Sequence, residues 1–327
     1  PKGGAKAIPR AYLRELKAHG GEIRLSTEVR RIRTEKGRVI GVELGDGTSI
    51  DAPVVISNAD PHLTYTKMMN PADLPGKLRR KLAKTRYSLS SLSLFAAVDM
   101  DLEAMGYDSG NYWFNKDADI DGSYTRTLGR GDEAEGPMDG CFLTITSLKD
   151  RTKLKGTTHT VEVFNIMRTE PWAHTTGEPG VRSQAYEDQK QRLLDRLVGT
   201  ASRVIPGLGD HLVFRELGTP ATNRFYVRST DGNMYGTEKT LDQIGPFAFG
   251  IRSPIDGLYL CGSSTVSHGV IGASWSGLIA AAKATRTPTS ELLNHRDAGI
   301  EIWPADHVDA WPEAAQARQR RLQPVAQ

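Results

Sequence analysis

The chain has 327 residues, of which 42 are Lys or Arg and 39 are Asp or Glu, so its formal net charge at pH 7 is only +3. This small charge, carried by residues of both signs, argues against a strongly basic nucleic-acid-binding protein, and no nucleic acid is expected as a partner. The length allows one large domain or two modest ones with a substantial hydrophobic core.

The two cysteines, Cys141 and Cys261, lie in apolar segments. Their setting predicts buried free thiols in a reducing compartment. The histidines lack the spacing of metal ligands, so no metal site is expected. The sequence also has no apolar stretch of the length that a membrane span requires. We therefore expect a cytoplasmic protein.

The first 60 residues predict one helix and three strands. The helix is expected at 8–19, where Gly20 and Gly21 end it, and the strands at 23–33, 39–44 and 49–56. The last three residues of the third strand, 54–56, form a short continuous apolar run. Such a run is typical of a central strand covered on both faces.

The second block, 61–242, predicts a sheet with helices beside it. Residues 88–99 alternate Ser with Leu, which is the pattern of a strand with one apolar face, and 141–146 and 160–165 are expected to be its neighbours. Helices are predicted at 74–85 and 183–204. Segments of this kind are typical of an α+β unit.

The helix predicted at 74–85 carries most of a basic cluster made of Lys77, Arg79, Arg80, Lys81, Lys84 and Arg86. One interpretation is a solvated helix face. The other is a patch that contacts anionic lipid headgroups, which places the protein at the periphery of a membrane.

Residues 257–284 predict a short buried strand, a glycine-rich turn and a helix of small residues. This arrangement brings the unpaired N–H groups at a helix start close to whatever lies in the turn. A phosphate, or a cofactor ring that becomes negative on reduction, suits such a position. The alternative is a plain strand–helix crossover whose Gly and Ala residues allow close packing.

The same segment resembles the final FAD-contacting motif of the phytoene desaturase and carotenoid isomerase family, within the amine oxidase-type flavoproteins. Three further stretches match that family in order: 3–9 with 22–32, then 54–61, then Gly218-Thr219-Pro220 with Arg224 and 232–236. The resemblance implies an α/β fold with an α+β insertion. An incomplete Rossmann-like FAD-binding domain would comprise 1–60 and 243–286, with an inserted mixed-sheet substrate domain at 61–242 and a polar tail at 287–327.

Members of the family begin with a Gly-x-Gly-x-x-Gly unit that holds the FAD pyrophosphate, and this sequence has no such unit. The resemblance therefore implies a fragment, or one half of a protein, that is completed by a missing N-terminal segment or by a partner chain.

The resemblance also implies which residues contact FAD. Val29 lies where the family's strand reaches the adenine side, and the N–H groups at the last helix should face the flavin pyrimidine edge. His268 is interpreted either as a donor near the flavin or as a surface or capping residue. The predicted cofactor-binding residues are Val29, Ser57, Asn58, Ala59, Gly262, Ser263, Gly269, Val270, Ile271 and Gly272.

The implied activity is dehydrogenation or isomerisation of an apolar, polyene-like small molecule by hydride transfer to flavin. No catalytic residue is identified from the sequence. Tyr112, Trp113, Phe114 and Trp172 are candidates for the wall of an apolar substrate tunnel, or for core packing. Two other functions stay open: a non-catalytic C-terminal half that needs a partner, and an amine oxidase-like enzyme acting on a polar substrate.

Overall fold

The structure is a computed structural model that describes residues 3–129, 136–169, 182–294 and 308–322. Its helices are α1 (Ala7–Ala18), α2 (Gly76–Lys84), α3 (Ile120–Gly129), α4 (Thr146–Lys149), α5 (Gln184–Ala201), α6 (Pro220–Tyr226), α7 (Gly269–Thr285), α8 (Thr289–Asn294) and α9 (Glu313–Leu322). Its strands are β1 (Val29–Glu35), β2 (Arg38–Leu44), β3 (Ser49–Asp51), β4 (Val55–Ser57), β5 (Ser90–Val98), β6 (Asn111–Asn115), β7 (Gly140–Ile145), β8 (His159–Met167), β9 (Leu212–Gly218) and β10 (Leu258–Leu260).

The largest sheet has five strands in the order β6-β7-β8-β5-β9. Every neighbouring pair in it is antiparallel, so the expectation of a mixed sheet was wrong. The reason is the position of β5. Helix α5 links β8 to β9, which run in the same direction, but β5 lies between these two strands and pairs antiparallel with both.

The two faces of this sheet differ in burial. Strand β5 turns Leu92, Leu94, Ala96 and Val98 into the main core, as its Ser/Leu alternation predicted. Helix α5 covers that face with Leu193, Leu194 and Leu197. The opposite face, which we call the open face, carries Phe95 and a row of aromatic rings formed by Trp113, Phe142 and Phe164.

The strand predicted at 23–33 begins only at Val29. Residues before it include Ser26, whose φ of 51° lies in the left-handed region and does not fit a strand. The strand predicted at 49–56 is two strands, β3 and β4, which belong to different sheets.

Strand β4 pairs in parallel with β10 and forms a two-stranded sheet. The expectation that 54–56 is covered on both faces was wrong, because Val54 and Ile56 are 39% and 43% exposed. Apolar composition alone does not reveal whether a covering element is present. In the described ranges, none of the helices is both long and apolar enough to cross a membrane.

A second core lies between these small sheets. It joins Ile32 and Val39 of the three-stranded sheet β1-β2-β3 to Leu258 and Leu260 of β10. The segment that follows β4 completes it with Tyr65, Met69, Leu74, Leu78 and Leu82. This core holds β10, and therefore the turn that follows it, against β4.

Candidate cofactor site

The site is built where two parallel strands end together. The backbone N–H of Cys261, after β10, donates to the carbonyl oxygen of Ser57 at the end of β4 over 2.9 Å. Residues 57–60 and 261–264 therefore meet at the same edge of the sheet. Parallel strands in α/β proteins bind ligands at this carboxyl edge.

Gly262 is required at the centre of this edge. Its φ is +93°, and a Cβ built on it would lie 2.4 Å from Oδ1 of Asn58. Its N–H donates to the buried Oγ of Ser276 over 2.7 Å, and its carbonyl oxygen accepts a hydrogen bond from Oγ1 of Thr265. The turn is thus fixed to the first part of α7.

Helix α7 begins at the same place, and no side chain caps it. His268 occupies the N-cap position without a side-chain hydrogen bond to the helix, and its ring instead lies 4.6 Å from that of Tyr235. Gly269, with φ of +78°, has open space around the position of a Cβ. Val270 and Ile271, in the first turn, are 62% and 86% exposed. The N–H groups of this turn are therefore accessible to a ligand.

A segment from the other side closes over the turn. Residues 229–237, which we call the strap, place Gly236 against the serines of the turn, since a Cβ on Gly236 would lie 2.5 Å from Oγ of Ser264. The N–H of Thr237 donates to the same oxygen over 3.2 Å. Helix α6 supports the strap, because the position of a Cβ on Gly232 is only 2.3 Å from the carbonyl oxygen of Pro220.

Asp60 ties the strap to β4, and sequence reasoning missed this residue. Its carboxylate accepts hydrogen bonds from the N–H of His62, the hydroxyl of Tyr87, the N–H of Thr230 and Nδ2 of Asn233. Burial and the Asp60 charge both raise the pKa of Tyr87, so the phenol keeps its proton. The position of Asp60 shortly after a strand was the available signal, but three of its four donors come from distant parts of the chain.

A cavity of about 100 Å³ lies between the turn and the strap. Asn58, Ala59, Cys261 and Ser263 line it, together with Ser229 of the strap. The buried Oγ of Ser229 has no hydrogen-bond partner among the described residues. A buried hydroxyl of this kind is a site for a ligand atom or a water molecule.

Nine of the ten predicted cofactor-binding residues therefore lie together, at the ends of β4 and β10 and the start of α7. Ser57 differs from the others in that its hydroxyl is engaged within the protein, with Oγ1 of Thr64 and the N–H of Ala59. Val29 lies apart from them, at the start of β1 in the three-stranded sheet, where it pairs with Leu44. Lys239, which was not predicted, donates to the carbonyl oxygen of Ser263 over 2.7 Å.

These features fit FAD, the dinucleotide cofactor predicted from the sequence. The uncapped helix start offers N–H donors and a positive dipole end to an anionic group. Gly269 leaves the backbone at the start of α7 accessible, and the unpaired hydroxyl of Ser229 lines the nearby cavity as a polar contact. The exposed apolar side chains of Val270 and Ile271 provide a surface for a flat ring.

Of the proposed tunnel aromatics, Trp113 lies on the open face, with its ring 4.9 Å from that of Phe142. Tyr112 and Phe114 alternate with it and pack against the main core, so they are core residues. Trp172 lies outside the described residues.

Comparison with known proteins agrees with this geometry. Residues 1–125 match the family described as flavin containing amine oxidoreductase. Prolycopene isomerase from the chloroplast of Daucus carota is 28% identical over 287 residues, which cover 86% of this chain and 43% of the relative. All-trans-retinol 13,14-reductase of Danio rerio is 26% identical over 288 residues, which cover 84% of this chain and 47% of that protein. The predicted resemblance to phytoene desaturase-like, amine oxidase-type flavoproteins is confirmed.

Two solved structures share the fold. An oxidoreductase from Methanosarcina mazei superposes with a TM-score of 0.56 at 17% identity, covering 90% of this chain and 55% of that structure. Wild-type putrescine oxidase bound to putrescine gives a TM-score of 0.54 at 14% identity, covering 90% of this chain and 54% of that structure. The α/β fold class is thus confirmed. The chain spans about half the length of the curated relatives that it matches.

Proposed function

We propose that the chain is the C-terminal part of an FAD-dependent oxidoreductase that dehydrogenates or isomerises an apolar, polyene-like substrate. The observation that carries the proposal is the uncapped start of α7, which lies beside Gly262 at the carboxyl edge of two parallel strands. We assign β4, β10 and α7 to an incomplete Rossmann-like FAD-binding domain formed by 1–60 and 243–286. Residues 61–242 then form the substrate domain, and 287–327 a polar tail.

When bound, FAD supplies a hydride acceptor for a C–H bond of the substrate. The N–H groups of Val270 and Ile271 would hold negative charge at the edge of the ring, because they lie unpaired in the first turn, at the positive end of α7. Asn58 and Ser263, which line the cavity, would orient the polar part of the cofactor. The strap would exclude water from this side, since it packs on the turn through Gly236.

An apolar substrate is supported by the open face of the five-stranded sheet. Trp113, Phe142 and Phe164 form a continuous aromatic row across β6, β7 and β8. Strand β5, next in the sheet, begins against the strap, because the N–H of Met234 donates to the carbonyl oxygen of Leu89. The sheet that carries the aromatic row is therefore hydrogen-bonded, through β5, to the strap that covers the glycine turn. The names of the carrot and zebrafish relatives, both enzymes of polyenes, support the same substrate class.

Peripheral contact with a membrane, from a cytoplasmic location, is part of this proposal. Long apolar polyenes reside in lipid, so an enzyme that acts on them benefits from binding the bilayer surface. Helix α2 carries the basic residues that suit such contact.

A second function, amine oxidase-like action on a polar substrate, is favoured by one observation. Glu162 lies directly opposite Phe95 on the open face, where its carboxylate would attract an ammonium group. The two functions separate on whether a polyene or a polyamine reduces the flavin.

The third alternative is a chain that becomes catalytic only when another polypeptide completes the site. It is supported by the surface of α7, where Val270, Ile271 and Trp275 are all exposed. Apolar groups so close together on one helix are typical of an interface.

The test is a visible absorption spectrum of the purified chain after gel filtration with added FAD. Co-elution of a flavin band supports the proposal. An anaerobic titration with a polyene or with putrescine then assigns the substrate class, by loss of that band for a dehydrogenation and by a shift of the polyene's own absorption for an isomerisation. The Gly262→Val variant should elute colourless, because its side chain fills the position next to Asn58. A flavin band of equal strength in wild type and variant would contradict the site.

A further inference from the structure

A second cavity, of about 450 Å³, is bordered by helix α2 and by the segment 242–249. Thr237, the last residue of the strap, also lines it. This second cavity is larger than the cavity at the turn and lies in the size range of small-molecule sites.

Three ammonium groups line this cavity. Lys77, Lys81 and Lys84 follow each other at intervals of four and three residues, so they share one face of α2. In the part of the chain that the structure describes, no carboxylate forms an ion pair with any of the three. Like charges at this spacing repel each other, and an anion between them would remove the repulsion.

The one carboxylate in the lining is already neutralised. Asp242 accepts two hydrogen bonds from Nη2 of Arg86, at 2.9 and 3.1 Å. Arg86 is further held by Glu238 and Thr240. The cavity therefore keeps an excess of positive charge.

Lys81 is held in place before any ligand binds. Its Nζ donates to the carbonyl oxygen of Ala248 over 2.6 Å and lies 4.6 Å from the ring centroid of Phe249. Partial burial and the nearby Lys77 lower the pKa of Lys81. An ammonium group that is fixed and partly desolvated is well suited to bind an anion.

The rest of the lining has a polar part, made of Thr85, Thr237 and Gln243, and an apolar part. Pro246, Phe247 and Phe249 form the apolar part, and Phe247 is 59% exposed. Ile244, in the same segment, is 37% exposed. Because Lys81 lies over the ring of Phe249, that ring face is not free to stack on a nucleotide base.

We propose that this cavity binds an amphiphile whose anionic head group, a phosphate or carboxylate, contacts the three lysines while its apolar chain lies along Pro246 and Phe247. The site is independent of the proposed redox function. The head group can belong to a free amphiphile or to a lipid in a bilayer.

Isothermal titration of the purified chain with monomeric octyl phosphate tests this site. We expect octyl phosphate to bind about tenfold more tightly than inorganic phosphate or octyl glucoside, because only octyl phosphate has both an anionic head group and an apolar chain. The double variant Lys77→Gln/Lys84→Gln should weaken binding about tenfold. The matched control, Arg79→Gln/Arg80→Gln, removes the same charge from the same helix outside the lining and should change binding less than about twofold.

Equal loss in the two double variants would overturn the proposal, because it would indicate non-specific attraction to α2. So would tighter binding of ADP than of octyl phosphate, or no binding of octyl phosphate. Lys77 and Lys84 are exposed, so their replacement should leave the fold intact, which circular dichroism checks. Co-sedimentation with phosphatidylcholine vesicles, with and without phosphatidylserine, identifies the source. Lysine-dependent binding to the anionic vesicles assigns a bilayer lipid, and its absence assigns a free amphiphile.

Discussion

The hydroxyl of Tyr87 donates to Oδ1 of Asp60 over 2.5 Å and connects the start of β5 to the end of β4. The same carboxylate accepts hydrogen bonds from the strap. One side chain thus fixes the relative positions of the glycine turn and the segment that covers it.

Replacement of Tyr87 by Phe should lower the free energy of unfolding by about 1.5–3 kcal/mol, since the lost hydrogen bond is made to a charged, partly buried group. Chemical denaturation measures this loss. Tyr12→Phe is the control, because Tyr12 is 62% exposed and its hydroxyl makes a weak 3.3 Å hydrogen bond to Ser274. Equal losses in the two variants would contradict a special role for the Asp60 contact.

Tyr65 predicts a loss of stability at high pH. Burial raises its pKa to about 12, and its hydroxyl donates to Oγ of Ser253. The folded-state pKa is above the ordinary value of 10.0, so the stabilisation is complete below pH 10 and is lost as the pH rises towards 12. We expect a decrease of up to about 2–3 kcal/mol from this group. Denaturation of Tyr65→Phe at increasing pH should show a free energy of unfolding without this decrease. An equal decrease in both proteins would refute the assignment.

Gly262→Ala should destabilise the fold more than Gly47→Ala. Both glycines have a positive φ, but only the Cβ at position 262 meets a neighbour, Oδ1 of Asn58. The backbone term alone costs about 1–2 kcal/mol, and Gly47→Ala measures it. Thermal unfolding of both variants gives the difference. If Gly262→Ala proves no worse than Gly47→Ala, Asn58 moves away without cost.

The two thiols should differ in reactivity with iodoacetamide. Burial raises the pKa of Cys141 to about 12, so it should be labelled only after unfolding. Burial raises the pKa of Cys261 as well, but this residue is half-buried and lines the cavity at the turn. It should react slowly, and more slowly with FAD present. Mass spectrometry locates the label. Faster labelling of Cys141 than of Cys261 in the folded chain would contradict the deeper burial of Cys141.

Trp113→Ala should weaken binding of an apolar polyene such as all-trans-retinol without unfolding the chain. Trp113 is 64% exposed, and its contacts are the rings of Phe142 and Phe164. Loss of one aromatic contact predicts a decrease in affinity of about threefold to tenfold, read from retinol fluorescence. Tyr226→Ala is the control, since Tyr226 is 77% exposed and its ring contact is Phe225 rather than the aromatic row. An equal effect in both variants would argue against the open face as the substrate wall.

Elements with a strong local sequence pattern were predicted correctly from the sequence. The alternation at 88–99 predicted the strand and the buried face of β5, and the glycine pattern at 257–284 predicted β10, the turn and α7. Strands β6 and β9 were missed. Asn111–Asn115 is short and polar at both ends, and Leu212–Gly218 is a largely exposed edge strand whose charges hide its alternation.

The sequence predicted site residues only where they directly follow a recognisable strand or begin a recognisable helix. Asn58 and Gly262 follow strands whose apolar runs are visible in the sequence. Asp60 and Lys239 act through contacts with residues more than 20 positions away, and no local pattern encodes such contacts. Ser229 joins the site only because the fold brings the strap to the cavity. Whether β4 is covered was unpredictable for the same reason, since covering depends on other elements.

Strand β4 has one further consequence, for the behaviour of the chain in solution. Its residues Val55 and Ser57 direct their hydrogen bonds to β10, so the N–H and C=O groups of Ile56 point to the other side. This leaves an edge with exposed apolar side chains at Val54 and Ile56. Such an edge accepts the strand of a second molecule, so concentrated samples should self-associate through it. A Lys at position 56 would keep the chain monomeric.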